Sequence, residues 1–254
     1  MKTLCVEVGN TRTNIGLFEG DKILKNIQIN TKGKYFSNDF NKALETLCGN
    51  KNIIDCAVSS VVDSVNKTIE NIVQKFVKGK IIFLSSKFLP DKMFLVSKKG
   101  KEETGADILC DIIYANSIKN GPKIIIDLGT ASKVIFIDKK NRFLTVYIFL
   151  GLGSFLSLLS SSTEKLPNIR LKISKIKPIP KETKETLNSS TYYCILGAIK
   201  YYIEHFKKHV NKKFDIFFCG GHSEFFKKEF SNSFYDKNFT LKGCYEFYKI
   251  IKGC

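Results

Sequence analysis

The sequence predicts an α/β protein built from two related halves, each with its own mixed sheet. Three observations carry this prediction. A short motif occurs twice, 120 residues apart; apolar runs with strand character alternate with helical patterns; and 43% of the 254 residues are hydrophobic, which is enough for a folded core. This composition excludes a disordered chain despite a formal net charge of +17.

The repeated motif is an apolar run followed by an acid, one apolar residue and a glycine. Residues 4–18 read LCVEVGNTRTNIGLF, and residues 124–138 read IIIDLGTASKVIFID. Each copy predicts a β-hairpin with a tight glycine turn. The letters NGP directly before the second copy are typical of a boundary between domains. We therefore divide the chain into an N-terminal half, 1–119, and a C-terminal half, 120–254.

Strand and helix patterns alternate along the rest of the chain. Beyond the two hairpins we predict strands over 55–62, 80–84 and 214–219, and helices over 38–48, 66–77, 106–117, 190–209 and 223–230. The lysine-rich segment 172–184 contains two prolines and is predicted to be a loop. This alternation favours a sheet with helices around it in each half.

The positive charge is carried almost entirely by lysine. Only three of the 41 basic side chains are arginines, namely Arg12, Arg142 and Arg170. Arginine is the preferred residue for bidentate recognition of phosphates and guanine. The charge therefore predicts a solvated lysine coat, and a nucleic-acid partner is the less favoured alternative.

The sequence has no stretch typical of a membrane span. The most apolar segment, 146–159, contains glycine and serine and is shorter than the roughly 20 residues that a spanning helix needs. The first residues lack the pattern of a signal peptide. Eight cysteines occur without a C-x-x-C pair. We therefore predict a cytoplasmic protein with reduced thiols and no membrane partner.

The two hairpins have the residue types that bind nucleotide phosphates. Glu7 and Asp127 each end a strand and point toward a turn, where a glycine allows a ligand to approach the backbone N–H groups. A carboxylate in this position can hold Mg²⁺, which prefers carboxylate and phosphate oxygens. Asn10, Thr11 and Thr13 add side-chain donors. Two such hairpins facing a common cleft would hold the phosphates of one nucleotide, although two ordinary hairpins remain an alternative.

A third motif fits the same ligand. The predicted strand 214–219 runs into Gly220-Gly221, and His222 and Ser223 follow before a helix. A glycine turn of this kind allows a flat adenine ring to lie against the backbone. The alternative is a plain glycine turn with a serine at the helix N-terminus.

The order of these motifs resembles the hexokinase–actin superfamily, whose members have two duplicated ribonuclease-H-like halves (the actin-like ATPase fold) with a nucleotide cleft between them. Within it the chain most resembles the type III pantothenate kinases, over nearly all of its length. The matching motifs, in chain order, are Glu7-Val8-Gly9-Asn10-Thr11, Ser60-Val61-Val62, Gly105-Ala106-Asp107, Asp127-Leu128-Gly129-Thr130-Ala131-Ser132, Leu166-Pro167, Ser189-Ser190 before Gly197, and Gly220-Gly221.

The resemblance implies an activity and a role for each matching residue. The activity is ATP-dependent phosphorylation of pantothenate to 4′-phosphopantothenate, the first step of coenzyme A synthesis, by a homodimer. ATP would be bound by Glu7, Val8, Gly9, Asn10, Thr11, Arg12, Thr13, Asn14, Thr130, Gly220 and Gly221. Pantothenate would be bound by Gly105, Ala106, Asp107, Ile108 and Ser190. Asp107 would be the general base, Glu7 would serve Mg²⁺, and Asp127 would hold a monovalent cation, potassium or ammonium.

Several residues depart from the motifs of that family, and three of these departures bear on activity. Glu7 stands where the family has aspartate, Ile108 where it has arginine, and Lys133 where it has a small hydroxyl residue. These departures leave a second hypothesis open, a catalytically weak or inactive kinase-like protein with a binding or regulatory role, such as a transcription accessory factor. A third hypothesis is a sugar kinase of the same superfamily, for which the chain is short.

Overall fold

A computed structural model describes residues 2–49, 53–211 and 213–253 of the chain. Cys254, one of the eight predicted thiols, lies outside them. Contacts between residues divide the chain into two units, one of Met1–Lys119 with Asn238–Cys254 and one of Asn120–Lys237. The division after Lys119 coincides with the boundary that the sequence predicts.

The residues that the structure describes form ten strands and seven α-helices. In chain order they are β1 (Lys2–Val8), β2 (Arg12–Glu19), β3 (Lys22–Asn30), α1 (Phe36–Cys48), β4 (Ile53–Ser60), α2 (Asp63–Val73), β5 (Ile81–Phe83), α3 (Lys98–Glu102), α4 (Ala106–Ile118), β6 (Lys123–Leu128), β7 (Ala131–Ile137), β8 (Phe143–Leu150), α5 (Leu152–Ser161), α6 (Thr183–Val210), β9 (Asp215–Cys219), β10 (Phe234–Tyr235) and α7 (Phe239–Lys252).

The first unit contains a five-stranded sheet in the order β3-β2-β1-β4-β5. β1 pairs antiparallel with β2 and parallel with β4. Because side chains alternate across a strand, Leu4, Val6 and Val8 face a core shared with α1 and α2, whereas Cys5 faces a second core shared with α4 and α7. Glu7 follows Cys5 on the second face, at the end of the strand.

The second unit repeats this topology strand for strand. Its sheet has the order β8-β7-β6-β9-β10, in which β6 pairs antiparallel with β7 and parallel with β9. Ile124, Ile126 and Leu128 of β6 pack in one core with side chains of α6. The duplication of an α/β half that the sequence predicts is therefore confirmed.

The last helix corrects the predicted second half, 120–254. α7 lies in the first unit and packs beside α4, where the Thr240 hydroxyl donates to Asp111 Oδ1 at 2.7 Å. The Phe18 and Tyr245 rings stack at 4.6 Å between centroids. The apolar face of α7 completes the core around Cys5, which α4 alone does not cover. The second unit therefore ends at Lys237.

Other differences from the predicted elements are local. The elements without a counterpart in the prediction are β3, β8, β10, α3, α5 and α7. α6 begins at Thr183, inside the predicted loop. The predicted helix over 223–230 is a single 3₁₀ turn at Ser223–Phe226. Among the residues that the structure describes, no helix combines the length and the apolarity needed to cross a membrane.

Candidate functional site

The first hairpin joins β1 to β2 through Gly9, Asn10 and Thr11. The register pairs Val8 with Thr13, and the Gly9 N–H donates to the Arg12 carbonyl at 2.9 Å to close the turn. Asn10 to Arg12 are exposed. The turn therefore presents backbone and side-chain donors to solvent, as a phosphate-binding hairpin requires.

The Glu7 carboxylate is held by the residue directly across the hairpin. Asn14 is its cross-strand partner, and Asn14 Nδ2 donates to Glu7 Oε2 at 2.8 Å. Gln28 on β3 in turn donates to Asn14 Oδ1 at 2.6 Å. These amides fix the position of the carboxylate but do not neutralise its charge. Glu7 is thus a suitable ligand for a divalent cation.

Thr13 is predicted to contact ATP, but its side chain lies in the interior of the first unit. Its side chain is fully buried, and its hydroxyl lies 2.8 Å from the hydroxyl of Thr31. The Thr31 N–H also donates to the Thr11 carbonyl at 3.0 Å. The Thr13 side chain therefore links β2 to the residue that follows β3, and its hydroxyl is not presented to a ligand at the turn.

The end of β4 lies between the first hairpin and the Gly105 motif. The Val61 N–H donates to the Val8 carbonyl at 3.1 Å. On the other side, a Cβ placed on Gly105 would lie 3.5 Å from Val61 Cγ1. The fold of the first unit thus brings three separate sequence motifs, around Val8, Val61 and Gly105, to one edge of one sheet.

Asp107 lies in the first turn of α4, immediately after Gly105. Its Oδ1 accepts the backbone N–H of Ile108 at 2.8 Å. Gly105 is the residue before the first turn of α4 and has no side chain that could cap the helix. A Cβ on Gly105 would come within 2.7 Å of Asp107 Oδ1, so a side chain at position 105 would require this carboxylate to shift. Asp107 thus lies in the first turn of α4, the end of a helix at which acidic side chains are favoured.

Ile108 is buried, with a relative exposure of 6%. Its side chain is therefore part of the packing of α4, and only its backbone N–H contributes to the geometry of the site, through Asp107. An arginine at this position would bury a charge, which is costly. The departure from the family motif at Ile108 agrees with the local packing.

The second hairpin joins β6 to β7 through a shorter turn. The register pairs Leu128 with Ser132 and Asp127 with Lys133. Lys133 Nζ lies 2.6 Å from Asp127 Oδ2, and the two side chains are only 11% and 9% exposed. The acid of the second repeat therefore forms a largely buried ion pair with its cross-strand partner, an arrangement that sequence reasoning missed.

The Gly220-Gly221 turn packs against this hairpin within the second unit. Gly220 has φ +83°, and a Cβ there would overlap Asp127 Oδ1 and the backbone of Leu128. The His222 N–H donates to the Leu128 carbonyl at 3.0 Å. Burial lowers the pKa of His222, although the backbone of Gly129 and Leu128 partly opposes this shift, so the imidazole is mainly neutral at pH 7.

The carbonyl of Thr130, in the exposed turn, is held by two donors that the prediction did not include. The Gly151 N–H donates to it at 3.1 Å and the Ser154 hydroxyl at 2.7 Å. A Cβ on Gly151 would overlap the carbonyls of Gly129 and Thr130. The glycine that follows β8 is therefore needed for the shape of the second hairpin.

Ser190, the predicted substrate residue of the second unit, is exposed on α6. Its hydroxyl donates to the Leu187 carbonyl at 3.3 Å. The neighbouring Asn188 and Ser189 are buried and accept the backbone N–H groups of Lys172 and Lys177 at 2.6 and 2.8 Å. These two residues anchor the lysine-rich loop.

Comparisons with known proteins identify relatives of this chain. The sequence profile of the type III pantothenate kinases matches residues 3–205. The type III pantothenate kinase of Thermosipho africanus is 32% identical over 253 residues, and that of Fervidobacterium nodosum is 31% identical over 256 residues; each alignment covers 98% of both chains.

Solved structures share the fold. A structure described as a conserved putative Baf family transcriptional activator from Campylobacter jejuni has a TM-score of 0.62 at 20% identity and covers 99% of this chain and all of its own. A ROK family glucokinase from Streptomyces griseus, solved with glucose and AMPPNP, has a TM-score of 0.58 at 9% identity and full coverage of both chains. The sequence match extends over most of the chain, and the protein belongs to the type III pantothenate kinase family.

Proposed function

We propose that this protein phosphorylates pantothenate with ATP to give 4′-phosphopantothenate and ADP. Family membership supports a kinase role in coenzyme A synthesis. The observation that carries the proposal for this chain is the edge of the first sheet, where the Glu7 hairpin, Val61 and the Gly105-Asp107 motif are contiguous. A phosphate site and a carboxylate base on one edge are what transfer to an alcohol requires.

In this proposal the first hairpin binds phosphate groups of ATP, because the exposed backbone of Gly9 to Arg12 can supply donors to phosphate oxygens. Within the second unit, the Thr130 turn and Gly220-Gly221 stay predicted contacts of ATP. Glu7, Asn14 and Gln28 form a fixed chain of hydrogen bonds. Transition-state stabilisation of phosphoryl groups depends on such pre-positioned groups.

Asp107 acts as the general base. The pantothenate hydroxyl gives its proton to the Asp107 carboxylate as its oxygen forms a bond to the γ-phosphorus. The bond between that phosphorus and the bridging oxygen breaks, and ADP leaves with the electron pair. The hydrogen bond from Ile108 and the absence of a Cβ at position 105 keep this carboxylate in place.

Glu7 is the residue that would hold Mg²⁺. A bound magnesium ion neutralises the phosphate charge that grows on the leaving group. Within the described residues no cluster of three or more His, Cys, Asp or Glu side chains could hold a metal. The ion would therefore rely on Glu7 together with nucleotide oxygens and water, as is usual for magnesium at ATP sites.

A coupled ADP-release assay with ATP, Mg²⁺ and pantothenate tests the proposal. We expect pantothenate-dependent ADP release from the wild type and a loss of about 100-fold or more in kcat for Asp107→Asn. Asp39→Asn is the matched control, because Asp39 lies in the first turn of α1 and is exposed. It should leave kcat unchanged and shift the unfolding temperature by no more than about 3 °C.

Two results would contradict the proposal. One is a folded wild-type protein without turnover above background, which would favour a binding or regulatory role. The other is an Asp107→Asn variant with full kcat. The homodimer, the cytoplasmic location and the role of Ser190 stay predictions that this assay does not address.

A further inference from the structure

The carboxylate of Asp127 does not fit the monovalent cation that the family resemblance implies. Its Oδ2 lies 2.6 Å from Lys133 Nζ. Its Oδ1 lies so close to Gly220 that no Cβ fits between them. Each oxygen of the carboxylate therefore has an immediate neighbour, and one of the two neighbours is already a cation.

A second cation at this carboxylate would be strongly disfavoured. It would lie within a few ångströms of the Lys133 ammonium group, in a region where both side chains are at most 11% exposed. Like charges at such distances repel strongly where water is excluded. A potassium or ammonium ion could bind Asp127 only if Lys133 left, and departure would leave a buried lysine without its main counter-charge.

The hairpin geometry places the lysine at this position. Lys133 stands directly across the ladder from Asp127, and only three residues separate the last pair of the ladder, Leu128 and Ser132. Directly opposed residues of an antiparallel pair point to the same face, so side chains of opposite charge meet. The ammonium head of a lysine also has the charge and donor chemistry of a free ammonium ion.

We infer that the ammonium group of Lys133 replaces the monovalent cation at Asp127, so that the protein works without added potassium or ammonium. The effect on turnover rests on the proposed kinase function, whereas the effect on cation binding does not. Asp127 then stabilises the second hairpin by pairing with the ammonium group of Lys133, which is covalently part of the chain and cannot dissociate from it as a free ion can.

Thermal unfolding tests the inference without any need for catalysis. Wild type, Lys133→Ser and Arg142→Ser are compared in chlorides of potassium, ammonium and tetramethylammonium at equal ionic strength. Arg142 is the matched control, since it forms another ion pair of the second unit, with Asp138 at 2.7 Å. In tetramethylammonium we expect Lys133→Ser to lose about 5–10 °C in unfolding temperature.

The salt dependence separates the variants. We expect potassium or ammonium to restore at least half of the loss in Lys133→Ser, and to change wild type and Arg142→Ser by about 1 °C or less. A wild type that gains as much from potassium as Lys133→Ser would overturn the inference. So would a Lys133→Ser variant that is equally stable in all three salts.

Two wild-type measurements keep the inference testable if Lys133→Ser does not fold. A thallium-205 NMR titration should show no saturable binding that potassium displaces, and such binding would overturn the inference. Pantothenate-dependent ADP release should agree within about twofold between potassium and tetramethylammonium, whereas stimulation of about tenfold by potassium would overturn it. If no salt supports turnover, the proposed function fails, and the unfolding and thallium experiments still decide the role of Lys133.

Discussion

The two hairpins of this protein have the same topology but different partners for their acids. In the first, Glu7 meets the neutral amide of Asn14 at 2.8 Å; in the second, Asp127 meets the ammonium of Lys133 at 2.6 Å. Both partners stand directly across the ladder from their acid. One copy keeps a carboxylate with a neutral cross-strand partner, and the other supplies a cation from within the chain.

The comparison shows that a single cross-strand residue can give the two copies of a duplicated hairpin different roles. An amide fixes a carboxylate without neutralising it, which suits a metal ligand. A lysine neutralises the carboxylate and binds the two strands together, which suits a structural ion pair. We therefore expect changes in the first hairpin to affect activity, and changes in the second to affect stability first.

The largest expected effect comes from removing the second acid. Asp127→Asn leaves Lys133 buried without its counter-charge, so we expect the free energy of unfolding to fall by about 3–5 kcal/mol. Glu7→Gln is the counterpart in the first hairpin and should change that free energy by about 1 kcal/mol or less while lowering kcat about 100-fold or more. Urea titrations and ADP release measure both.

A double substitution sharpens this result. Asp127→Asn combined with Lys133→Met removes both charges, and we expect it to recover most of the stability that Asp127→Asn loses. If the double variant is as unstable as the single one, the ion pair is not the reason for the loss. If Glu7→Gln unfolds as easily as Asp127→Asn, the contrast between the hairpins is wrong.

The next effect concerns the glycine turn beside the second hairpin. Gly220→Ala introduces a Cβ at φ +83°, against Asp127 and the backbone of Leu128, and should lower the free energy of unfolding by about 2–4 kcal/mol. Gly221→Ala is the control, because a Cβ there meets nothing within 4 Å. Equal stability of the two variants in urea would show that the packing of Gly220 on Asp127 is unimportant.

The smallest expected effect concerns Lys123, at the start of the second repeat. The corresponding residue of the first repeat is Thr3. Burial lowers the pKa of Lys123 to about 8, although Asp215 and Asp138 oppose this shift. Between pH 8 and 10.5 the unfolded chain then binds more protons than the folded chain, so stability from this group rises with pH. Relative to Lys123→Met, the free energy of unfolding of the wild type should rise by an amount on the order of 2 kcal/mol over this range.

The pH series is measured by urea unfolding of the two proteins side by side. Both proteins share the tyrosine and cysteine titrations, so these cancel in the difference between the two free energies of unfolding. If the difference in free energy of unfolding between the two proteins stays constant from pH 8 to pH 10.5, the lowered pKa of Lys123 is contradicted.

Local patterns in the sequence predicted much of the fold. Hairpins and helices follow from periodicity over a few residues, and the repeat at Glu7 and Asp127 identified the duplication. The placement of α7 was not predictable in this way, since Thr240 meets Asp111 across 129 positions of sequence. Which unit a helix packs on depends on the shape of the core, which periodicity does not encode.

The candidate site shows the same limit. The sequence identified the residues at the turns, but the burial of Thr13 and the two donors to the Thr130 carbonyl depend on neighbouring strands and helices. The pairing of Lys133 with Asp127 had a usable signal. A three-residue turn after Leu128 fixes the register, and the register places the lysine opposite the acid.

The central claim, that this chain transfers phosphate from ATP to pantothenate, is tested most directly by phosphorus-31 NMR of a mixture of protein, MgATP and pantothenate. The account predicts a new phosphomonoester signal of 4′-phosphopantothenate that grows as the γ-phosphate of ATP declines and ADP forms in equal amount. A folded protein that leaves the ATP signals unchanged, or that releases only inorganic phosphate, would contradict it.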